Sequence, residues 1–294
     1  MGWLGLGADV RLRPGAVGRT ASLPVVAAVC SLIAATPVDH AVAADWPDAL
    51  RGSFTPTYAR WDGWQFGVQA GVANMNSDFG NSTSGLVSFI LRNTTVENEF
   101  APSNWAALPS NSTNGQVYGA FLGYNIQWEQ LVLGFDINYN NTASSLESSA
   151  QDSIGRQFVT SDGFNNQVTV DARSSIKLID YLALRGRAGY AVSNFLPYAA
   201  VGLVLGRFNH STTATVFAQG TNAGTGASYG PNVNTATSGK DNAFIGGVTA
   251  GLGVDWAITP GVFLRAEWQF VAFAPVAGIR TNINTGDLGI GVRF

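Results

Sequence analysis

Eight segments of about ten residues alternate apolar and polar side chains at the period of two that an extended strand imposes. The clearest is LVLGFDINY, 131–139, where Leu131, Leu133, Phe135, Ile137 and Tyr139 oppose Val132, Gly134, Asp136 and Asn138. WQFGVQAGV (64–72) sets Trp64, Phe66, Val68, Ala70 and Val72 against glutamines and glycines, and QVYGAFLGYNI (116–126) sets Tyr118, Ala120, Leu122, Tyr124 and Ile126 against Gly119, Phe121, Gly123 and Asn125. YLALRGRAGYA (181–191) opposes Leu182, Leu184, Ala188 and Tyr190 to Arg185 and Arg187. The fifth, within LPYAAVGLVLG (196–206), is ambiguous in facing, with Ala199, Val201, Leu203 and Leu205 placed outward. GGVTAGLGVDW (246–256), VFLRAEWQF (262–270) and GDLGIGVRF (286–294) complete the set, their polar faces carrying Asp255, Arg265, Glu267, Asp287 and Arg293.

The connections run long, short, long, short, long, short, medium. Outer-membrane barrels pair short periplasmic turns with long external loops and use an even strand number, so the pattern predicts an all-β, membrane-spanning, eight-stranded antiparallel up-and-down β-barrel. The long connections, roughly 75–115, 141–172 and 207–242, are rich in Asn, Ser, Thr and Gly and are expected to stay solvated. Their formal charges of -2, -3 and +1 make the outer surface mildly acidic.

Composition sharpens this reading. Only 12% of residues are charged, which suggests much surface facing something other than water, yet no stretch of about 20 uninterrupted apolar residues follows the N-terminal region. That region reads as processing: Arg11, Arg13 and Arg19, then an apolar run from Leu23 to Ala35, then small residues at 41–45. A cleaved signal peptide is therefore expected over 1–43, with cleavage after Ala43 or Ala44, a periplasmic lead over 44–60 and the barrel over 61–294. The single Cys30 falls in the signal, so the remainder offers no disulfide, thiol nucleophile or thiolate metal site. Residues 44–294 hold 13 basic and 17 acidic side chains, a net of -4 with no basic patch for nucleic acid.

The inward-facing ionisable residues are Asp136, Arg185, Arg187, Asp255, Arg265, Glu267, Asp287 and Arg293, four of each sign. An eight-stranded bore is narrow enough for side chains to fill, so balanced charge there is read first as a closed network and second as an ion-selective pathway. Arg185, Glu267 and Asp136 are expected near mid-depth and Arg187, Arg265, Asp255 and Arg293 lower. Trp64, Tyr124, Trp128, Tyr190, Trp256, Trp268 and Phe270 suit a girdle at the membrane interfaces. GASYG (226–230) matches the G-x-S-x-G pattern of a hydrolase nucleophile elbow, but no strand leads in and no helix leads out. His210 would be the only histidine outside the signal, too little for an expected enzyme, metal site or cofactor.

WDGWQFGVQAGV (61–72), QVYGAFLGYNIQ (116–127), LALRGRAGYA (182–191), GVDWAITPGVFLRAEWQFV (253–271) and the final GDLGIGVRF together resemble the outer-membrane immunogenic protein family of alphaproteobacteria, kin to opacity-type and OmpA-type eight-stranded barrels. The likeness covers the strands and none of the long loops, and Gln65 stands where that family usually carries an aromatic. The resemblance implies a surface-exposed barrel of the Gram-negative outer membrane that supports membrane integrity, with Phe294 as the residue recognised by the barrel assembly machinery. Lipid and lipopolysaccharide are the implied surroundings, and the long loops would meet an extracellular partner. Some relatives are small porins or haem-binding surface proteins; no haem-ligand motif is carried over.

Overall fold

The computed structural model describes residues 59–143 and 145–294; the expected signal segment, Cys30 and the lead up to residue 58 lie outside these. Nine strands follow in order: β1 (Gly63–Asp78), β2 (Asn111–Trp128), β3 (Leu131–Asn141), β4 (Glu147–Val159), β5 (Phe164–Tyr190), β6 (Phe195–Asn222), β7 (Ser228–Thr259), β8 (Val262–Phe273) and β9 (Arg280–Arg293). All pairings are antiparallel, and β9 returns to β1 from Gln65↔Arg293 to Asp78↔Arg280. The ring closes through β3 and β5.

The expected eight strands become a ring of eight positions built from nine strands. β3 and β4 share one position: β3 pairs with the lower half of β5, Leu131↔Tyr190 to Asn141↔Asp180, and β4 with its upper half, Glu147↔Lys177 to Val159↔Asn165. Between them the chain kinks at Ala143, whose φ is 49°, while the Thr142 hydroxyl donates to the carbonyl of Leu178 at 2.7 Å. Opposite the kink, β5 carries one extra residue, Ile179, between the register positions of Leu178 and Asp180. Such a bulge reverses side-chain parity. Below it the buried residues are Tyr181, Ala183, Arg185 and Arg187; above it they are Leu178, Ile176, Ser174 and Ala172.

Outward residues form an apolar band about five positions deep on each strand, for example Trp64, Phe66, Val68 and Val72 on β1 and Leu131 to Tyr139 on β3, all exposed. About nine to eleven tilted residues cross a bilayer's hydrocarbon. The fifth strand segment faces as read, with Val201, Leu203 and Leu205 exposed and Tyr198, Ala200 and Val204 buried. The band ends above at a polar belt. Asn74 donates to Asn114 at 2.8 Å, Arg207 pairs with Asp180, and Tyr139 donates to Asp180 at 3.1 Å.

The long connections depart from the solvated reading in part: residues 228–242 stay almost wholly exposed, whereas the remainder is more ordered and more buried than its composition suggests. Residues 141–172 and 207–242 are mostly strand, because β5 and β6 stay paired from Gly189↔Tyr198 up to Phe164↔Asn222. Together with β4 and the upper part of β7 they rise as a four-stranded sheet above the belt. Residues 79–110 form helix α1 (Ser84–Ile90), helix α2 (Thr95–Phe100) and a 3-10 turn (Pro102–Asn104). Thr94 caps α2 by accepting from the Glu97 amide at 3.2 Å. This segment turns its apolar side chains inward: Phe79, Val87, Leu91, Trp105 and Leu108 are buried in one cluster with Met75, Val117, Ile176, Phe208 and Ile283 of the wall. Leu86, Val87, Ile90 and Leu91 recur at helical spacing and Thr94 and Glu97 stand at capping-box spacing, signals that a reading for period two passes over.

Candidate functional site in the barrel lumen

The strands bring six of the eight expected lumen charges together in two layers. In the middle layer Arg185 on β5 grips Asp136 on β3 with Nε and Nη2 at 2.8 and 3.1 Å. The same guanidinium holds Glu267 on β8, Nη2 to Oε2 at 2.9 Å with Nη1 on Oε1. Tyr198 of β6 donates to Glu267 at 2.5 Å and Asn138 to Asp136 at 2.7 Å. In the lower layer Asp255 of β7 accepts from Arg265 at 2.8 and 3.0 Å and from Arg187 at 2.7 Å. Arg187 lies 3.8 Å over the Tyr198 ring and Arg265 lies 3.9 Å over Phe121.

Register explains the layering. Asp136↔Arg185 and Asp255↔Arg265 are directly opposed across neighbouring strands, while Glu267 and Arg187 reach across the bore. The three arginines balance the three acids, and all six are buried. Bidentate pairing is what lets charges stay ionised away from water.

The other two expected members stand apart. Asp287 is buried but meets no cation; Thr285 donates to its Oδ2 at 2.9 Å and Oδ1 has no protein partner. Its neighbours explain why: it is opposed by Gly71 and Glu267, which supply no positive charge. Arg293 sits at the lower rim, donating to the Pro260 carbonyl at 2.7 Å and lying 4.4 Å over the Trp61 ring.

Sequence reading missed several contributors. Trp61, expected at the start of the barrel, instead stoppers its lower mouth, buried with Phe121, Val132, Leu196 and Phe263, its amide donating to Gln127 at 2.6 Å. Gly67 and Gly291 make room for the Phe121 and Phe263 rings, where a Cβ on either would collide. Tyr198 was hidden in the ambiguous fifth segment, and parity opposite the apolar Ala199 and Val201 was the signal for it. Gln65, Gln69, Asn125, Asn138 and Asn140 are buried along β1 to β3, each with a side-chain atom lacking a protein partner. With Asp287 of β9, they make one wall of the lumen polar and under-satisfied, the setting in which buried water is retained.

Of the expected girdle, Trp64, Tyr124, Trp128, Tyr190 and Trp256 lie toward the lower ends of their strands; Trp64 packs edge-on against Tyr124 with centroids 5.2 Å apart. Trp268 and Phe270 face outward higher on β8 and are half-buried. Phe294 is exposed, its amide and carbonyl both bonded to Trp64 at 3.0 Å. Ser228 of the GASYG stretch opens β7 beyond a hairpin tip, with no helix following. His210 is paired across the sheet with Lys240. Burial first, then Lys240, push its pKa below the ordinary value, against the pull of Asp241.

A closed antiparallel ring with an apolar exterior and a charged, polar interior defines a transmembrane β-barrel of the outer-membrane type. Residues 49–294 match the model of the outer membrane protein beta-barrel domain, and the chain belongs to that family as an integral protein of the outer membrane. No curated protein matches it. Similar solved structures include the attachment invasion locus protein Ail of Yersinia pestis, at 10% identity over 79% of this chain and 99% of the other with a TM-score of 0.27. Neisserial surface protein A aligns at 16% identity over 78% and 97%, TM-score 0.31. The outer membrane protein OprG of Pseudomonas aeruginosa aligns at 10% identity over 79% and 97%, TM-score 0.34.

Proposed function

We propose that this protein is a non-conducting surface barrel that supports outer-membrane integrity and meets other molecules through its extracellular sheet. The observation that carries the reading is the double closure of the bore. Below, the six-membered charge network spans the lumen above the Trp61 stopper. Above, α1 and α2 fill the mouth with apolar side chains. An ion would have to break paired charges and then cross an apolar layer. The family resemblance to alphaproteobacterial immunogenic proteins, a processed N-terminus and recognition of Phe294 by the assembly machinery belong to the same reading, as does contact with lipopolysaccharide. His210 is paired across the sheet with Lys240, and its Nδ1 holds no hydrogen-bond partner that would orient it as a general base, which supports a non-enzymatic role.

A narrow channel is the second reading, favoured by the under-satisfied polar wall of β9, β1, β2 and β3. Planar-bilayer recording on protein purified from outer membranes separates the two. The sealed barrel gives silence, while reproducible steps sensitive to Glu267→Ala would replace it with the channel.

A further inference from the structure

Across the two layers of the lumen three arginines meet four carboxylates, and the one in excess is Asp287. It is 3% exposed, and the residue opposite it on β8 is Glu267, a second carboxylate. Arg185, the cation of that layer, spends Nε, Nη1 and Nη2 on Asp136 and Glu267. Arg187 and Arg265 are drawn down onto Asp255. Arg293 lies six residues along β9, ~20 Å away at ~3.3 Å per residue. A buried carboxylate without a counter-charge is strongly unfavourable, so either a proton or a cation from solution has to neutralise Asp287.

The surroundings decide between the two, because they present oxygen rather than hydrogen. Gln69 of β1 stands diagonal to Asp287, since Gly71↔Asp287 and Gln69↔Gly289 are the opposed pairs, and a diagonal neighbour is within reach of a long side chain. Gln69 is buried, and its Nε2 is spent on Asn140 of β3 at 2.8 Å, which leaves the opposite edge of the amide, Oε1, toward β9 with no protein partner. Gly71 keeps the approach open, because a Cβ there would collide with Asp287 Oδ1. Above, hydrogens are used up: Tyr181 donates to Gln269 at 3.4 Å, Gln269 to Thr249 at 2.8 Å, and Thr285 to Asp287 Oδ2 at 2.9 Å. Along the same wall Asn125 Oδ1 and Asn138 Oδ1 are also buried without protein partners. One proton on Oδ1 would serve one of these oxygens. A cation serves Asp287 and Gln69 directly, and the water it holds donates outward to the rest.

We propose that the lumen holds a monovalent alkali cation between Asp287 Oδ1 and Gln69 Oε1, with water completing its shell. One surplus negative charge and one free carboxylate oxygen among neutral oxygens match a single positive charge, whereas calcium gathers several carboxylates and carbonyls. The proposal rests on the sealed-barrel reading and deepens it: the ion is retained beside the Arg185–Glu267 pair rather than passed, and it balances the fourth carboxylate.

The test is urea unfolding of the barrel purified from outer membranes, in a nonionic detergent, with sodium chloride or choline chloride at equal chloride. Equilibrium is approached from both directions, so that entry of the ion through a closed bore is not limiting. The wild-type midpoint is expected to rise saturably with sodium, by about 1 M urea when the site is well filled. Asp287→Asn and Gln69→Met, folded in choline, are each expected to lose that rise. Anomalous diffraction from wild-type crystals grown in rubidium chloride is expected to place an ion beside Asp287, and it decides the matter alone if either variant fails to fold. An equal sodium response in folded Asp287→Asn, a wild-type midpoint that follows pH and ignores sodium, or no rubidium at Asp287 would each overturn the site. Bilayer recording on the same wild-type protein reports the seal separately: silence without a sodium response sinks the ion site alone, and open conductance sinks the sealed reading.

Discussion

At the residue scale, the lumen works through mutual saturation of charges rather than through their number. Arg185 uses both edges of its guanidinium, one on Asp136 and one on Glu267, and Tyr198 completes the Glu267 carboxylate. Glu267→Ala therefore leaves half of a buried guanidinium and a buried phenol without partners. The expected loss is about 3–5 kcal/mol, read as a lower urea midpoint for unfolding from lipid vesicles, with Glu267→Gln losing less. A wild-type midpoint in the alanine variant would mean that the network contributes nothing. Phe294 is a different case. It is exposed and holds Trp64 only through its backbone, so packing gives it little work. Phe294→Asp is expected to lower the amount of protein in outer membranes several-fold while purified protein still refolds. Equal membrane levels would remove its assembly role. The charged residues themselves were legible in the sequence, since alternation alone put Asp136, Arg185, Arg187, Asp255, Arg265 and Glu267 on the inner face. Their pairing was not, because partners such as Arg187 and Asp255 are 68 residues apart and meet only across the bore.

At the element scale, two devices decide the upper half. The first is the bulge at Ile179, which reverses the facing of β5 midway and hides its continuity from a period-two reading. Deleting Ile179 forces either Arg185 and Arg187 toward lipid or Ile176 and Leu178 toward water. Loss of the heat-resistant folded band on gels is expected, and its retention would show that the strand can reset its register. The second device is the segment carrying α1 and α2. Neither helix exceeds seven residues, so neither is stable alone, and both depend on the apolar contacts made by Val87, Leu91, Val96 and Trp105. Phe100 stacks on Phe158 at 4.1 Å, and Glu99 accepts from the Ser161 amide at 3.1 Å, tying the helices to the β4–β5 hairpin. Val87→Asp buries a lone carboxylate in that cluster. It is expected to expel the segment and make residues 79–108 cleavable by external protease on intact cells, while the membrane-embedded strands stay protected.

At the whole-molecule scale, the barrel is closed twice by unrelated means, and the two closures are expected to be non-redundant. Glu267→Ala alone should remain silent in a planar bilayer because the apolar mouth still excludes ions. Removal of residues 80–107 alone should leave the paired charges and the Trp61 stopper as a barrier, and conduction is expected only when that removal is combined with Glu267→Ala, Asp255→Ala and Trp61→Ala. Full conductance from either single change would place the whole seal in one layer. The sequence by itself determined the transmembrane ring, because a bilayer forces each spanning strand to show one apolar face, and that demand is written locally at every second residue. It also determined which ionisable groups face inward. Only the tertiary structure decided what happens beyond the membrane and across the bore. There the 141–172 and 207–242 stretches become strands because neighbours satisfy their backbones, helices form because a wall accepts their apolar residues, and Trp61 becomes a stopper because a mouth exists to receive it. Those outcomes depend on partners distant in the chain, which no local pattern names.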